Sequence, residues 1–227
     1  MRLLRARAHC GWLQRTAAIW VGVVLLSLGW AVSAGAGEPA TSSTDVQVLD
    51  LALVDETGLA RNFRSEVIGD RIAVLNFVYT TCKTACPMAS AMFGQVQEQL
   101  GPRLGEEVVL VSLSIDPVTD RPARLLAAAR QFHSKAGWTW LTGDKATMDR
   151  VLHGLGAVVS NAADHPTMVM IGDGISGQWV RVLGFPSPDD IMTHVERLRD
   201  ARRHAAGKMA VSAVGPGAAM RREAGVE

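Results

Sequence analysis

The stretch Ile72 to Met92, IAVLNFVYTTCKTACPMASAM, decides how this chain folds. Ile72–Tyr79 is apolar and rich in β-branched and aromatic residues, the pattern of a buried strand. Pro87 suits the first turn of a helix, where its missing N–H is not needed. Met88 to Leu100 continues as that helix. Cys82 and Cys86 therefore fall on a strand-to-helix turn or within the first helical turn. The positive end of a helix dipole stabilises thiolates there.

Two thiolates at this spacing have two chemical uses. Residues i and i+4 of a helix share a face about 5–6 Å apart, close enough for a reversible disulfide or for shared binding of a soft ion such as Cu(I) or Zn²⁺. A purely stabilising disulfide is the weaker use, because closing so short a loop removes little entropy from the unfolded chain.

Outward from this centre, the chain has 227 residues, 48% hydrophobic and 20% charged, enough for one globular domain with appendages. A net charge of +1 gives no reason to expect nucleic acid as a partner. Residues 1–36 read as a targeting segment: Arg2, Arg5, Arg7 and Arg15 precede the uncharged apolar run Ala17–Ala34, and small residues follow. The run fits a cleaved secretory signal or a retained membrane anchor. Either places the domain outside the cytoplasm, in a periplasm or on the outer face of an inner membrane. Cleavage would leave 19 basic against 22 acidic residues, a net −3, and only the cysteine pair of the three cysteines. An oxidising compartment would join that pair unless a metal or reductant intervenes.

Residues 37–44 read as a linker, 45–204 as the domain and 205–227 as a disordered tail with little apolar period. Within the domain, Val46–Val54 reads as a strand, Val108–Ile115 as a second apolar strand, and Pro122–His133 and Lys145–Leu155 as helices. Trp138–Gly143 is a short extended piece. Thr167–Ile171 and Trp179–Leu183 flank a hairpin turn at Gly172-Asp173-Gly174. Ser187-Pro188-Asp189-Asp190 opens a helix with a cap, a first-turn proline and acids at its positive end, running to about Arg203. The order β-β-α-β-α-α-β-β-α predicts an α/β fold, a mixed central sheet with helices on both faces and an N-terminal strand extension.

A two-thiolate Cu(I) site takes a third ligand, and imidazole is the usual one. Of six histidines, His9 is in the leader, His133, His153 and His194 lie in predicted helices, and His204 opens the tail. His165 differs, in the loop Asn161-Ala-Ala-Asp164-His165-Pro166-Thr167 entering a central-looking strand.

Phe77-Val-Tyr-Thr-Thr-Cys82-Lys-Thr-Ala-Cys86-Pro87 resembles the signature of the Sco/SenC family, thioredoxin-fold copper proteins of cytochrome c oxidase assembly. Ser114-Ile-Asp116-Pro117-Val-Thr-Asp120 resembles that family's D-P-x-x-D segment, Leu141-Thr-Gly143 its L-T-G, and Asp164-His165 its D-H. The resemblance spans about residues 45–200 and implies a thioredoxin-like fold, copper as the bound ion, either Cu(I) or Cu(II), and Cys82, Cys86 and His165 as its ligands. Asp116 and Asp120 match the acidic segment without an implied ligand role; turn and cap duty is the alternative. Met88 and Met92, one turn apart, read as core residues with a thioether role as the alternative. Pro166-Thr167 departs from the family pattern and resembles the cis-proline loop of thioredoxins, so a cis bond at Pro166 is expected.

Two functions follow. One is a metallochaperone passing copper to the binuclear site in the copper-bearing subunit of cytochrome c oxidase. The other is a thiol–disulfide oxidoreductase reducing partner cysteines, with Cys82 and Cys86 as its redox pair. Other copper chaperones or thiol oxidoreductases are further expected partners. His165 is dispensable to the second function and required by the first.

Overall fold

The run Ile72–Val78 forms the strand β4, and all seven of its residues are buried. Burial on both faces is what a strand covered by helices on either side requires. The computed structural model describes residues 41–43, 46–158 and 165–213. The other strands are β1 (Thr41–Ser43), β2 (Ala52–Asp55), β3 (Ala60–Asn62), β5 (Val108–Ser114), β6 (Trp138–Thr142), β7 (Met168–Asp173) and β8 (Trp179–Leu183). They form one sheet in the order β1-β8-β7-β4-β5-β6-β2-β3. β4 runs parallel to β5 and β5 to β6, whereas β7 lies antiparallel along the other flank of β4.

Among the described residues four α-helices cover the sheet: α1 (Ala85–Leu100), α2 (Pro122–Gln131), α3 (Lys145–Gly154) and α4 (Pro188–Ala213). The two-residue period of β4 divides its side chains between two core layers. Ala73, Leu75 and Phe77 pack with Met148, Val151 and Leu152 of α3. Ile72, Val74 and Val78 pack with Phe93 and Val96 of α1, Leu125 of α2 and Val195 of α4. Each large apolar side chain so buried contributes about 1.5–3 kcal/mol. This is the expected thioredoxin-like arrangement, with the β2–β3 hairpin as its N-terminal extension.

The topology brings three loops to one edge of the sheet. Parallel β4 and β5 both end there, and antiparallel β7 begins there. The turn carrying the cysteines, the Asp116–Asp120 loop and the His165–Thr167 segment therefore share one rim. At the opposite edge, Ile72 of β4 pairs with Asp173 of β7.

Several expectations are corrected. Trp138–Thr142 is a full strand of the sheet, in register with Leu110–Leu113 of β5. It holds its place because Trp138 and Trp140 bury their rings, and their indole N–H groups donate to Ser112 and Ser134 at 2.9 and 2.8 Å. Thr41–Ser43, read as linker, pair with β8. The last helix runs to Ala213, ten residues beyond its expected end, into the segment read as tail. Ala205, Ala206 and Lys208 are good helix formers, so the helix continues without needing a core contact. No peptide bond among the described residues is cis, so His165–Pro166 is trans. Pro166 is exposed, and no packing holds it against the ordinary trans preference of about 0.5–1 kcal/mol. The expected targeting segment, most of the linker, Asp164 and residues 214–227 lie outside the described residues.

Candidate metal centre

Helix α1 begins at Ala85, and the side chain of its capping residue, Thr84, caps nothing. The sulfur of Cys82 takes that part: Cys86 N–H donates to Cys82 Sγ at 3.3 Å. Cys82 N–H in turn donates to the Tyr79 carbonyl at 3.1 Å, closing the turn after β4. The three-residue spacing thus puts the first cysteine at the cap and the second within the first helical turn. An anion at a helix N-terminus meets unpaired N–H groups and the positive dipole end.

The two thiols differ electrostatically. Burial alone would raise Cys82, but the Cys86 and Thr84 N–H groups, the Cys86 thiol and the Tyr79 hydroxyl favour the charged sulfur and bring it down to about 7. Burial raises Cys86 to about 12; a backbone contact at Tyr79 opposes the rise, while the Cys82 sulfur and the Asp120 charge add to it. Both are free thiols, and both are partly buried.

His165 completes the same cleft, a space of about 80 Å³ walled by Tyr79, Cys82, Cys86, Ile115, His165 and neighbours. Its ring lies 5.2 Å from that of Phe77, centroid to centroid. Burial lowers its pKa, with the Pro166 and Ala157 backbone opposing, so the imidazole is neutral near pH 7, as a ligand must be. Its Nε2 is buried and takes no hydrogen bond from the described residues. A buried unpaired polar atom costs about 1–3 kcal/mol. Two soft sulfurs, an orphaned imidazole nitrogen and an apolar wall fit a soft cation. Among the described residues, no three His, Cys, Asp or Glu side chains are gathered closely enough to hold an ion without rearrangement.

The structure therefore brings Cys82, Cys86 and His165 to one cleft. Of the two methionines, Met92 is core, whereas Met88 is 60% exposed in the first turn of α1, contrary to expectation. Asp116 does turn duty, accepting from Thr119 N–H. Asp120 is fully buried and accepts three hydrogen bonds: from Thr80 N–H at 3.0 Å, Thr80 Oγ1 at 2.5 Å and Ser114 Oγ at 2.7 Å. Tyr79, unassigned by sequence, lines the cleft, and its hydroxyl favours the charged form of the Cys82 sulfur. Its place directly after the central strand was the only signal for it.

The family model described as SCO1/SenC matches residues 41–198, most of the chain and all the elements that build the cleft. A SCO1 protein homolog of Bacillus subtilis is 30% identical over 84 residues, 37% of this chain and 43% of that protein. The chain spans 43% and 50% of the curated relatives it matches. A SCO1/SenC family lipoprotein of Bacillus anthracis has a similar fold, with a TM-score of 0.60 at 20% identity over 70% of this chain and 98% of that one. The structure of Arabidopsis thaliana ScoI with copper bound compares at a TM-score of 0.58 and 17% identity, over 69% of this chain and 99% of that one. The matched stretch carries the CxxxCP turn, the D-P-x-x-D loop and the histidine that meet at one rim of the sheet, and the chain belongs to the SCO1/SenC family.

Proposed function

We propose that this protein is a copper metallochaperone, carrying copper on Cys82, Cys86 and His165 and delivering it to the binuclear copper site of cytochrome c oxidase. The observation that carries the reading is the cleft itself: a cap-stabilised sulfur, a second, partly buried thiol and a buried imidazole nitrogen without a partner among the described residues. Copper is the ion bound in the Arabidopsis relative, and it suits two sulfurs and an imidazole better than a hard cation would. Cys82 offers a thiolate near neutral pH, Cys86 gives up its proton on binding, and His165 stands neutral and desolvated. The cleft opens on the rim, so an acceptor's ligands could approach as these three let go. The N-terminal arginines and apolar run would place the domain on the outer side of a membrane, where the oxidase copper site is assembled.

The asymmetry of the thiols favours a second reading, a thiol–disulfide oxidoreductase. Cys82 thiolate would attack a partner disulfide and release one partner thiolate. Cys86, deprotonated, would then attack the Cys82 sulfur and release the other, leaving a Cys82–Cys86 disulfide and a reduced partner.

A transfer assay separates the two. Cu(I)-loaded protein is mixed anaerobically with the reduced, metal-free copper domain of the oxidase subunit, the two are separated, and the copper bound to each is measured. The chaperone reading predicts that copper passes to that domain. The oxidoreductase reading predicts no copper transfer, and instead reduction of that domain when it is supplied as its disulfide.

A further inference from the structure

We propose that Asp120 is the positioning residue of the cysteine turn: it clamps Thr80 by two hydrogen bonds and so fixes the segment that presents Cys82. This rests on the copper-site reading above for one of its two consequences and is independent of it for the other.

Asp120 is 0% exposed, and among the described residues its carboxylate answers no guanidinium or ammonium. Its donors are all neutral. One oxygen takes both the N–H and the hydroxyl of Thr80, and the other takes the hydroxyl of Ser114. Ser114 Oγ in turn accepts from Asp116 N–H at 3.1 Å, and Asp120 N–H donates to the Asp116 carbonyl at 2.8 Å. The whole Asp116–Asp120 loop is thereby a rigid socket for one residue of another loop. That residue, Thr80, is two positions before Cys82, where β4 has ended and the chain makes its turn into α1. Within the turn itself the backbone is held by one bond, from Cys82 N–H to the Tyr79 carbonyl at 3.1 Å. Thr84 caps nothing, and the Cys82 sulfur is itself the cap that a bound ion would compete for.

A buried carboxylate whose hydrogen bonds are all made holds its donors in one arrangement. A partner that orients a ligand from outside the ligand set typically accounts for ten- to hundredfold in metal affinity. Holding Thr80 also holds Cys82 near Cys86, which raises the effective concentration of one thiol for the other.

The test compares wild type with Asp120→Asn, Thr80→Val, Thr80→Ser and, as a control on general stability, Val195→Ala in the distant α4 core layer. Thr80→Val keeps the shape and the N–H but removes the hydroxyl, and Thr80→Ser restores it. Two readouts are taken on the reduced protein: Cu(I) affinity by chelator competition, and the equilibrium constant for Cys82–Cys86 disulfide formation in a glutathione buffer. The expected result is a fall of about tenfold or more in both for Asp120→Asn and Thr80→Val. Thr80→Ser should match wild type, and Val195→Ala should melt lower with both readouts unchanged. If wild type binds no Cu(I) yet Thr80→Val still shifts the disulfide equilibrium, the copper reading fails and the clamp stands. Unchanged readouts in Thr80→Val, a Thr80→Ser variant as impaired as Thr80→Val, or equal shifts in Val195→Ala would each overturn the clamp.

Discussion

Two buried aspartates sit at opposite edges of the same sheet, and they are treated differently. Asp173, where β7 meets the start of β4, is gripped by Arg202 of α4 through two hydrogen bonds, at 2.5 and 3.1 Å. Burial alone would raise its pKa, but Arg202 and the Ile175 N–H bring it below the ordinary carboxylate value. Asp120, beside the cysteine turn, receives only neutral donors. The first arrangement closes a charge balance and staples the last helix to the sheet. The second leaves a carboxylate whose charge disfavours a thiolate at Cys86. One edge ties a helix to the sheet through an ion pair, and the other holds the turn that carries the proposed copper ligands.

Breaking each edge in turn should give opposite signatures. The largest effect falls on the thiol edge. Cys82→Ser or Cys86→Ser should abolish both tight Cu(I) binding and disulfide formation while the melting temperature stays near wild type, read by chelator competition and thermal unfolding. Arg202→Ala should do the reverse. It strands a buried carboxylate at a cost of about 3 kcal/mol, lowering the melting temperature by roughly 6–12 °C and leaving Cu(I) affinity unchanged. Measured loss of copper affinity in Arg202→Ala would mean that the two edges are coupled.

The pH dependence sharpens the contrast. Below about pH 7 both thiols carry protons that binding must release, so Cu(I) affinity should rise about a hundredfold per pH unit. Above about pH 7 Cys82 is already ionised and only Cys86 releases a proton, so the rise should fall to about tenfold per unit. His165 adds no proton near neutrality, because burial keeps it neutral there. Affinity measured from pH 6 to 8 against a competitor of known proton dependence would show the break, and a constant slope would remove the asymmetry. The smallest effect is expected at the end of α4. Residues Arg203–Met209 are exposed, so truncation after His204 should change the melting temperature by no more than about one or two degrees.

The thiol edge was legible in sequence because its signal is local. An apolar strand, a proline in the first helical turn and two cysteines lie within one short stretch, and each property follows from its neighbours. His165 was legible only as a loop histidine singled out by resemblance, since Phe77, against which its ring packs, and the cysteines, whose cleft it shares, are distant in sequence. The cis proline was a false inference from a two-residue likeness; an exposed Pro166 has nothing to hold that isomer. β6 was underread because Trp138 and Trp140 face one core layer with polar handles that find serines elsewhere. The Asp120 clamp was invisible for the same reason, its partner Thr80 being forty residues earlier in the chain.

The most direct test of the central claim is an anaerobic Cu(I) titration of the reduced protein, with wild type beside His165→Ala and the disulfide equilibrium measured on both. The account predicts one tightly bound Cu(I) in wild type, affinity weakened by about tenfold or more in His165→Ala, and the same disulfide equilibrium in the two. Equal copper affinity in wild type and His165→Ala would contradict it, leaving His165 outside the site and Cys82–Cys86 as a redox pair.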